Sequence, residues 1–106
     1  MKIGMIVGSL VASQKDPGLA GLRFQIVRPV SVENEMANDY VVAIDAVGAG
    51  EGDYVLYAGG SSARQTEQTE NRPVDAVIMA IVDTWDIHGQ VKYSKAEESE
   101  SSASNG

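Results

Sequence analysis

Apolar and polar positions alternate with a period close to two through most of the first 93 residues of this 106-residue chain, the spacing of half-buried β-strands. Ile3 to Ala12 is the first predicted strand, with Ile3, Met5 and Val7 on one face and Gly4 and Gly8 on the other. Missing side chains on that second face permit the tight coiling of a small barrel. Asp16-Pro17-Gly18 turns the chain. Leu22 to Val30 follows, with Leu22, Phe24 and Ile26 expected inward and Arg23 and Gln25 outward. Pro29 has no N–H for a ladder, so this strand ends there or lies at an edge.

After a polar connection from Glu33 to Asp39, Tyr40 to Val47 is nearly all apolar. Such a strand is covered on both faces or by a neighbouring subunit. Tyr54 to Ala58 is a fourth strand, flanked by Gly48-Ala49-Gly50-Glu51-Gly52 and Gly59-Gly60. Glycine at that density marks backbone that bends sharply or approaches another surface closely, and the reading here is a subunit contact and a narrow opening. From Ser61 to Arg72 the chain is polar. Ser62-Ala63-Arg64-Gln65 has capping-box spacing, predicting a short helical turn, and Pro73-Val74-Asp75-Ala76 predicts another with proline at its first position. Val77 to Ile87 is the last long strand, His88-Gly89 a turn, and Val91-Lys92-Tyr93 a short return strand. The expected architecture is mainly β: a small five-stranded, OB-like barrel with one or two short helical turns. It occupies residues 1–93, and the serine-rich acidic tail at 94–106, with too few apolar residues to offset its ordering entropy, is expected to be disordered.

Charge removes some functions. The net charge is −7, with 8 scattered Lys and Arg residues, whereas polyanion binding needs clustered cations. Nucleic acid is therefore not an expected partner. No cysteine is present, which excludes disulfides and thiolate metal sites and fits a reducing cytoplasm. Met1-Lys2-Ile3-Gly4 does not open a signal peptide, and no apolar run approaches the roughly 20 residues of a membrane span. The expected location is cytoplasmic, with no membrane partner.

Candidate chemistry is sparse. His88, the single histidine, falls in a turn without partner ligands. Asp83 and Asp86, three apart on a strand, point to opposite faces and cannot work as a paired acid and base. Asp45 stands inside an apolar strand and needs hydrogen bonds or a cation; Arg28 and Arg64 are the candidate partners, within the subunit or across an interface. No histidine or acidic cluster accompanies it to hold a metal. Ser61 and Ser62 lack the oriented base that a serine nucleophile needs, and no lysine follows the glycines as it would in a phosphate-binding loop. Neither an enzyme nor a cofactor is expected.

Several blocks together resemble the EutN/CcmL family, the vertex proteins of bacterial microcompartment shells. They are Met1-Lys2-Ile3-Gly4, Gly8, Leu19, Gly21, Arg28-Pro29, Gly48-Ala49-Gly50, Val55-Leu56, Gly60-Ser61-Ser62-Ala63-Arg64, Pro73-Val74-Asp75-Ala76 and Ile81-Val82-Asp83. They occur in order across about residues 1–93, and the tail departs from the pattern. The resemblance implies a barrel subunit that assembles into a homopentamer and closes the fivefold vertices of a shell tiled by hexameric shell proteins. It also implies that Gly60, Ser61 and Ser62 lie near the central opening and Gly48, Ala49 and Gly50 near it or the adjoining subunit. Arg64 would anchor the loop through Asp45, Asp75 or Asp83. Two other readings compete. A co-chaperonin-like ring protein shares the length and the Gly-Asp before alternating apolar residues, but lacks the Gly60–Arg64 block. A small OB-type binding module would need a basic groove beneath its aromatics.

Overall fold

The computed structural model describes residues 1–60 and 75–97. Strands β1 (Lys2–Leu10), β2 (Phe24–Val30), β3 (Val41–Asp45), β4 (Tyr54–Gly59) and β5 (Ala76–Ile81) close into a barrel in the order β1-β2-β3-β5-β4. A hairpin of β6 (Thr84–Ile87) and β7 (Gln90–Ser94) stands beside it. Neighbours in the barrel are antiparallel except β3 and β5, which run parallel through just two pairs, Ile44↔Val77 and Asp45↔Ile78.

Ile6, Val27, Val55 and Ile78 are wholly buried inside the barrel, packed with Ala43, Ala49, Tyr57 and Ala76. Gly4 shares this inward face because nothing larger fits. A Cβ there would overlap Val27 Cγ1 and lie 3.0 Å from Tyr57 Cε1 and 3.2 Å from the Arg28 carbonyl oxygen. Gly8 does not share the role, since a bulge between Ile6 and Gly8 shifts the register against β2. A Cβ on Gly8 would touch only Ile26 Cδ1, at 3.8 Å.

The faces of β2 are the reverse of the sequence expectation. Gln25 and Val27 are buried, whereas Phe24 and Leu22 pack with Leu19 against Ile44, Ala58 and Val77 in a second apolar layer. Alternation shows that two faces differ but not which one is interior. Here the segment before β2 covers the outer face as well, and its Pro17–Leu19 forms a 3₁₀ turn capped by the Asp16 carboxylate.

The expected strand Val77–Ile87 is two strands. β5 loses its barrel neighbour where β4 begins, the last contact being the Val82 amide on the Tyr54 carbonyl at 2.7 Å. The chain then leaves to form the hairpin, which turns through His88 and Gly89, both at positive φ. Two left-handed residues are what a tight hairpin with correctly twisted strands requires. The hairpin docks through a ring cluster: Tyr54 stacks on Tyr93 at 4.0 Å between centroids, and Trp85 lies 5.5 Å from Tyr93. Trp85 Nε1 donates to the Val32 carbonyl at 2.8 Å. Asn34, itself at φ 64, accepts from the Tyr54 hydroxyl at 3.0 Å and donates to the Lys92 carbonyl at 2.9 Å.

The end of the ordered body moves. Ser94 belongs to β7 and Lys95–Glu97 are helical, with the Lys95 amide on the Asp83 carbonyl at 2.8 Å, so the body continues past Tyr93. The remainder of the tail, 98–106, lies outside the described residues, as does the helical turn expected at Ser62. Of the turn expected at Pro73–Ala76, the described part is a bend at Asp75 followed by β5.

A candidate assembly site

The glycine-rich segment after β3 is held from inside the barrel. Asp45, the last residue of β3, has a side chain with no solvent exposure. Its Oδ1 accepts the amides of Val47 at 3.0 Å and Gly48 at 2.9 Å. Gln25 Nε2 donates to Asp45 Oδ2 at 3.4 Å and to the Ala49 carbonyl at 2.9 Å. Burial is the largest single influence on Asp45 and would raise its pKa. Together the donors at Val47, Ala49, Gln25 and Gly48 outweigh burial, so its carboxyl sits below the ordinary value of 3.8. Among the described residues the nearest cation is Arg23, at 4.0 Å and with 69% of its side chain exposed. So solvated a guanidinium adds little.

Of the two arginines expected to partner Asp45, one is corrected by the structure. Arg28 is engaged elsewhere, with Nε on the Ala37 carbonyl at 2.6 Å and its guanidinium 6.0 Å from the Tyr40 ring centroid. Arg64 lies outside the described residues, as do Ser61 and Ser62. Gln25 was missed because an amide on a strand reads as solvent-facing. The available signal was its two-residue spacing from Val27.

The rest of the segment follows from these anchors. Gly48 takes φ 79 and is exposed, whereas the methyl of Ala49 is buried among Ile6, Val27 and Val55. Ala49 thus plugs its own barrel, while its glycine neighbours face outward. The Gly50 amide binds Asp53 Oδ2 at 2.9 Å, and the Gly52 amide binds the Ile6 carbonyl at 2.8 Å. At the other glycine cluster, the Gly60 amide donates to the Asp75 carbonyl at 3.0 Å, closing the base of the segment between them. Asp75 and Asp83 are both exposed and flank opposite ends of β5, so they cannot serve one anchor together.

Large apolar side chains stand in water on the isolated subunit: Val11 is 93% exposed, Tyr40 61% and Val42 47%. A groove of about 330 Å³ between the end of β1 and the start of β2 is lined by Leu10, Val11, Leu22 and Phe24 with Lys15 and Arg23 at its rim. A surface of this kind marks association rather than chemistry.

Residues 1–83, the whole barrel, match the family described as "Ethanolamine utilisation protein EutN/carboxysome". The chain belongs to the EutN/CcmL family. Among its relatives is the carboxysome shell vertex protein CcmL of Gloeobacter violaceus, 40% identical over 98 residues, which cover 92% of this chain and 98% of that protein. The structure of that CcmL superposes with a TM-score of 0.87, covering 91% of this chain and 99% of the other. The shell vertex protein PduN of Salmonella typhimurium is 40% identical over 88 residues, covering 79% and 97%. The GrpN pentameric microcompartment shell protein of Rhodospirillum rubrum superposes with a TM-score of 0.76 at 32% identity, covering 82% and 99%. The barrel is thus shared with these proteins as one unit. The docked hairpin at 84–94 lies beyond the family match but within the span shared with CcmL.

Proposed function

We propose that this chain is a structural protein of a bacterial microcompartment shell, forming a homopentamer that closes a fivefold vertex. The observation that carries this reading is the match of the entire barrel to proteins named as shell vertex proteins, together with its likeness to GrpN, named a pentameric shell protein. The physics is consistent with it. A ring needs a head-to-tail interface that closes on itself, and the subunit offers exposed apolar side chains at Val11, Tyr40 and Val42 for that purpose.

In this reading Gly60, Ser61 and Ser62 line the central opening, and the outward backbone of Gly48 and Gly50 abuts it or the adjoining subunit. Arg64 ties down the opening's loop through a carboxylate, with Asp75 or Asp83 exposed for the role. The hexameric proteins of the shell facets are the expected partners. Native mass spectrometry at physiological salt tests the assignment. A dominant fivefold species is expected, a monomer would overturn it, and a sevenfold ring would point to the co-chaperonin class instead.

A further inference from the structure

All the backbone atoms that the Gln25 and Asp45 side chains bind belong to one short stretch, residues 47–49. Neither side chain needs to be polar for the barrel itself, whose interior is otherwise aliphatic and aromatic. We propose that Gln25 and Asp45 form an internal latch that positions residues 46–50 for the neighbouring subunit, so that ring assembly depends on Asp45 being a carboxylate. This rests on the ring reading above and adds to it a positioning pair and a condition for assembly.

The donor count makes the latch specific. A carboxylate only accepts, and here it takes the amides of Val47 and Gly48 on one oxygen and the Gln25 amide on the other. Asparagine at 45 would turn an NH₂ toward the Gln25 NH₂. If Gln25 turned its amide over to relieve that clash, its oxygen would face the Ala49 carbonyl, and the 2.9 Å bond there would be lost. Protonation of Asp45 creates the same conflict by placing a donor where the Gln25 amide points. Either way Ala49, 2% exposed, is loosened as the plug, and the amides of Val47 and Gly48 are left on a neutral oxygen in place of a carboxylate, a weaker hold on the left-handed turn. Arg23, 4.0 Å away, is the charged group that faces Asp45 among the described residues, and its exposure leaves the latch to the hydrogen bonds.

The test compares full-length wild type, Asp45→Asn and Gln25→Glu by amide hydrogen exchange and native mass spectrometry. In D45N at neutral pH, exchange at Val47 and Gly48 should rise about tenfold, because their bonds pass from a charged to a neutral acceptor. Amides of Val27, Val55 and Ile78 should keep their protection, showing that the barrel is intact. The concentration at which the ring half-dissociates should rise by a similar factor. Q25E sets two carboxylates against each other, which is relieved when the pair takes up one proton. Its ring should therefore strengthen on mild acidification, whereas the wild-type ring weakens when Asp45 is protonated. Unchanged exchange at Val47 and Gly48 in D45N would overturn the latch. An opened loop with an undiminished ring would overturn its role in assembly while leaving the vertex assignment standing. A wild type with no ring at neutral pH would overturn the vertex assignment itself, whatever the loop does. A Q25E ring that weakens on acidification as wild type does would also count against the proposal.

Discussion

Substituting Gly4 by alanine adds a single carbon to the tightest place in the barrel. That carbon would overlap Val27 Cγ1, 3.0 Å from Tyr57 Cε1 and 3.2 Å from the Arg28 carbonyl oxygen. None of the three can retreat freely. Val27 has no solvent exposure and Tyr57 4%, and the Arg28 carbonyl sits on β2 next to Pro29, the residue paired with Gly4. Overpacking of this kind costs about 1–3 kcal/mol. For a domain of this size each kcal/mol lowers Tm by about 4–8 °C, so G4A should melt several degrees below wild type at the least. Val27→Ala alone removes two methyl groups, costing about 2 kcal/mol in transfer and cavity terms. In the double variant the new carbon occupies the space that Val27 vacates. The pair should thus cost at least about 1 kcal/mol less than the sum of the single changes. Urea unfolding followed by circular dichroism measures all four proteins, at one fixed subunit concentration because association shifts the apparent stability. If G4A falls within about 0.5 kcal/mol of wild type, or the two changes add, the steric account of Gly4 is wrong.

Asn34→Ala should release the hairpin. It removes the bonds to the Tyr54 hydroxyl and the Lys92 carbonyl, at about 1–3 kcal/mol. Because Trp85 is the single tryptophan, its fluorescence should move to longer wavelength, and an unmoved spectrum would show that the rings dock without Asn34. Acid should expose the contribution of Asp45 to stability. Its folded pKa lies below the unfolded value, so that contribution is complete above the unfolded value and is lost as pH falls through the folded one. The stability gap between wild type and D45N should hold constant at neutral pH and shrink in strong acid. A gap that widens in acid would reverse the sign.

Pattern located β1 to β4 to within a few residues because each is a short alternating or continuously apolar run closed by glycine, proline or acidic turns. It failed where tertiary neighbours decide. The break after Ile81 has no local marker, since Val82, Asp83 and Thr84 extend as readily as their neighbours; what ends β5 is the start of β4 across the ladder. The orientation of β2 was hidden because its outer face is also covered, by Leu19 and Leu22. Asp45 was legible as an oddity inside an apolar strand, but its hydrogen-bond donors were not. An arginine such as Arg28 is the obvious match for a carboxylate on charge alone, whereas among the described residues the fold supplies the loop's own amides and a glutamine from β2. The family was recognisable because glycine blocks at fixed separations encode backbone requirements that few other sequences share.

The parallel contact between β3 and β5 sets how the subunit yields under load. Every other neighbouring pair in the barrel is joined by a ladder of four or more residue pairs, and this one by two. What closes it is side-chain packing, with Ile44, Val77 and Ile78 all buried along the join. Packing resists compression well but gives little resistance to sliding along the strands, which a hydrogen-bond ladder would oppose. The barrel is thus anisotropic, stiff around most of its circumference and compliant along one line that ends at Asp45. A subunit set at a shell corner can shear along that line to meet neighbours at slightly different angles without parting any of its longer ladders.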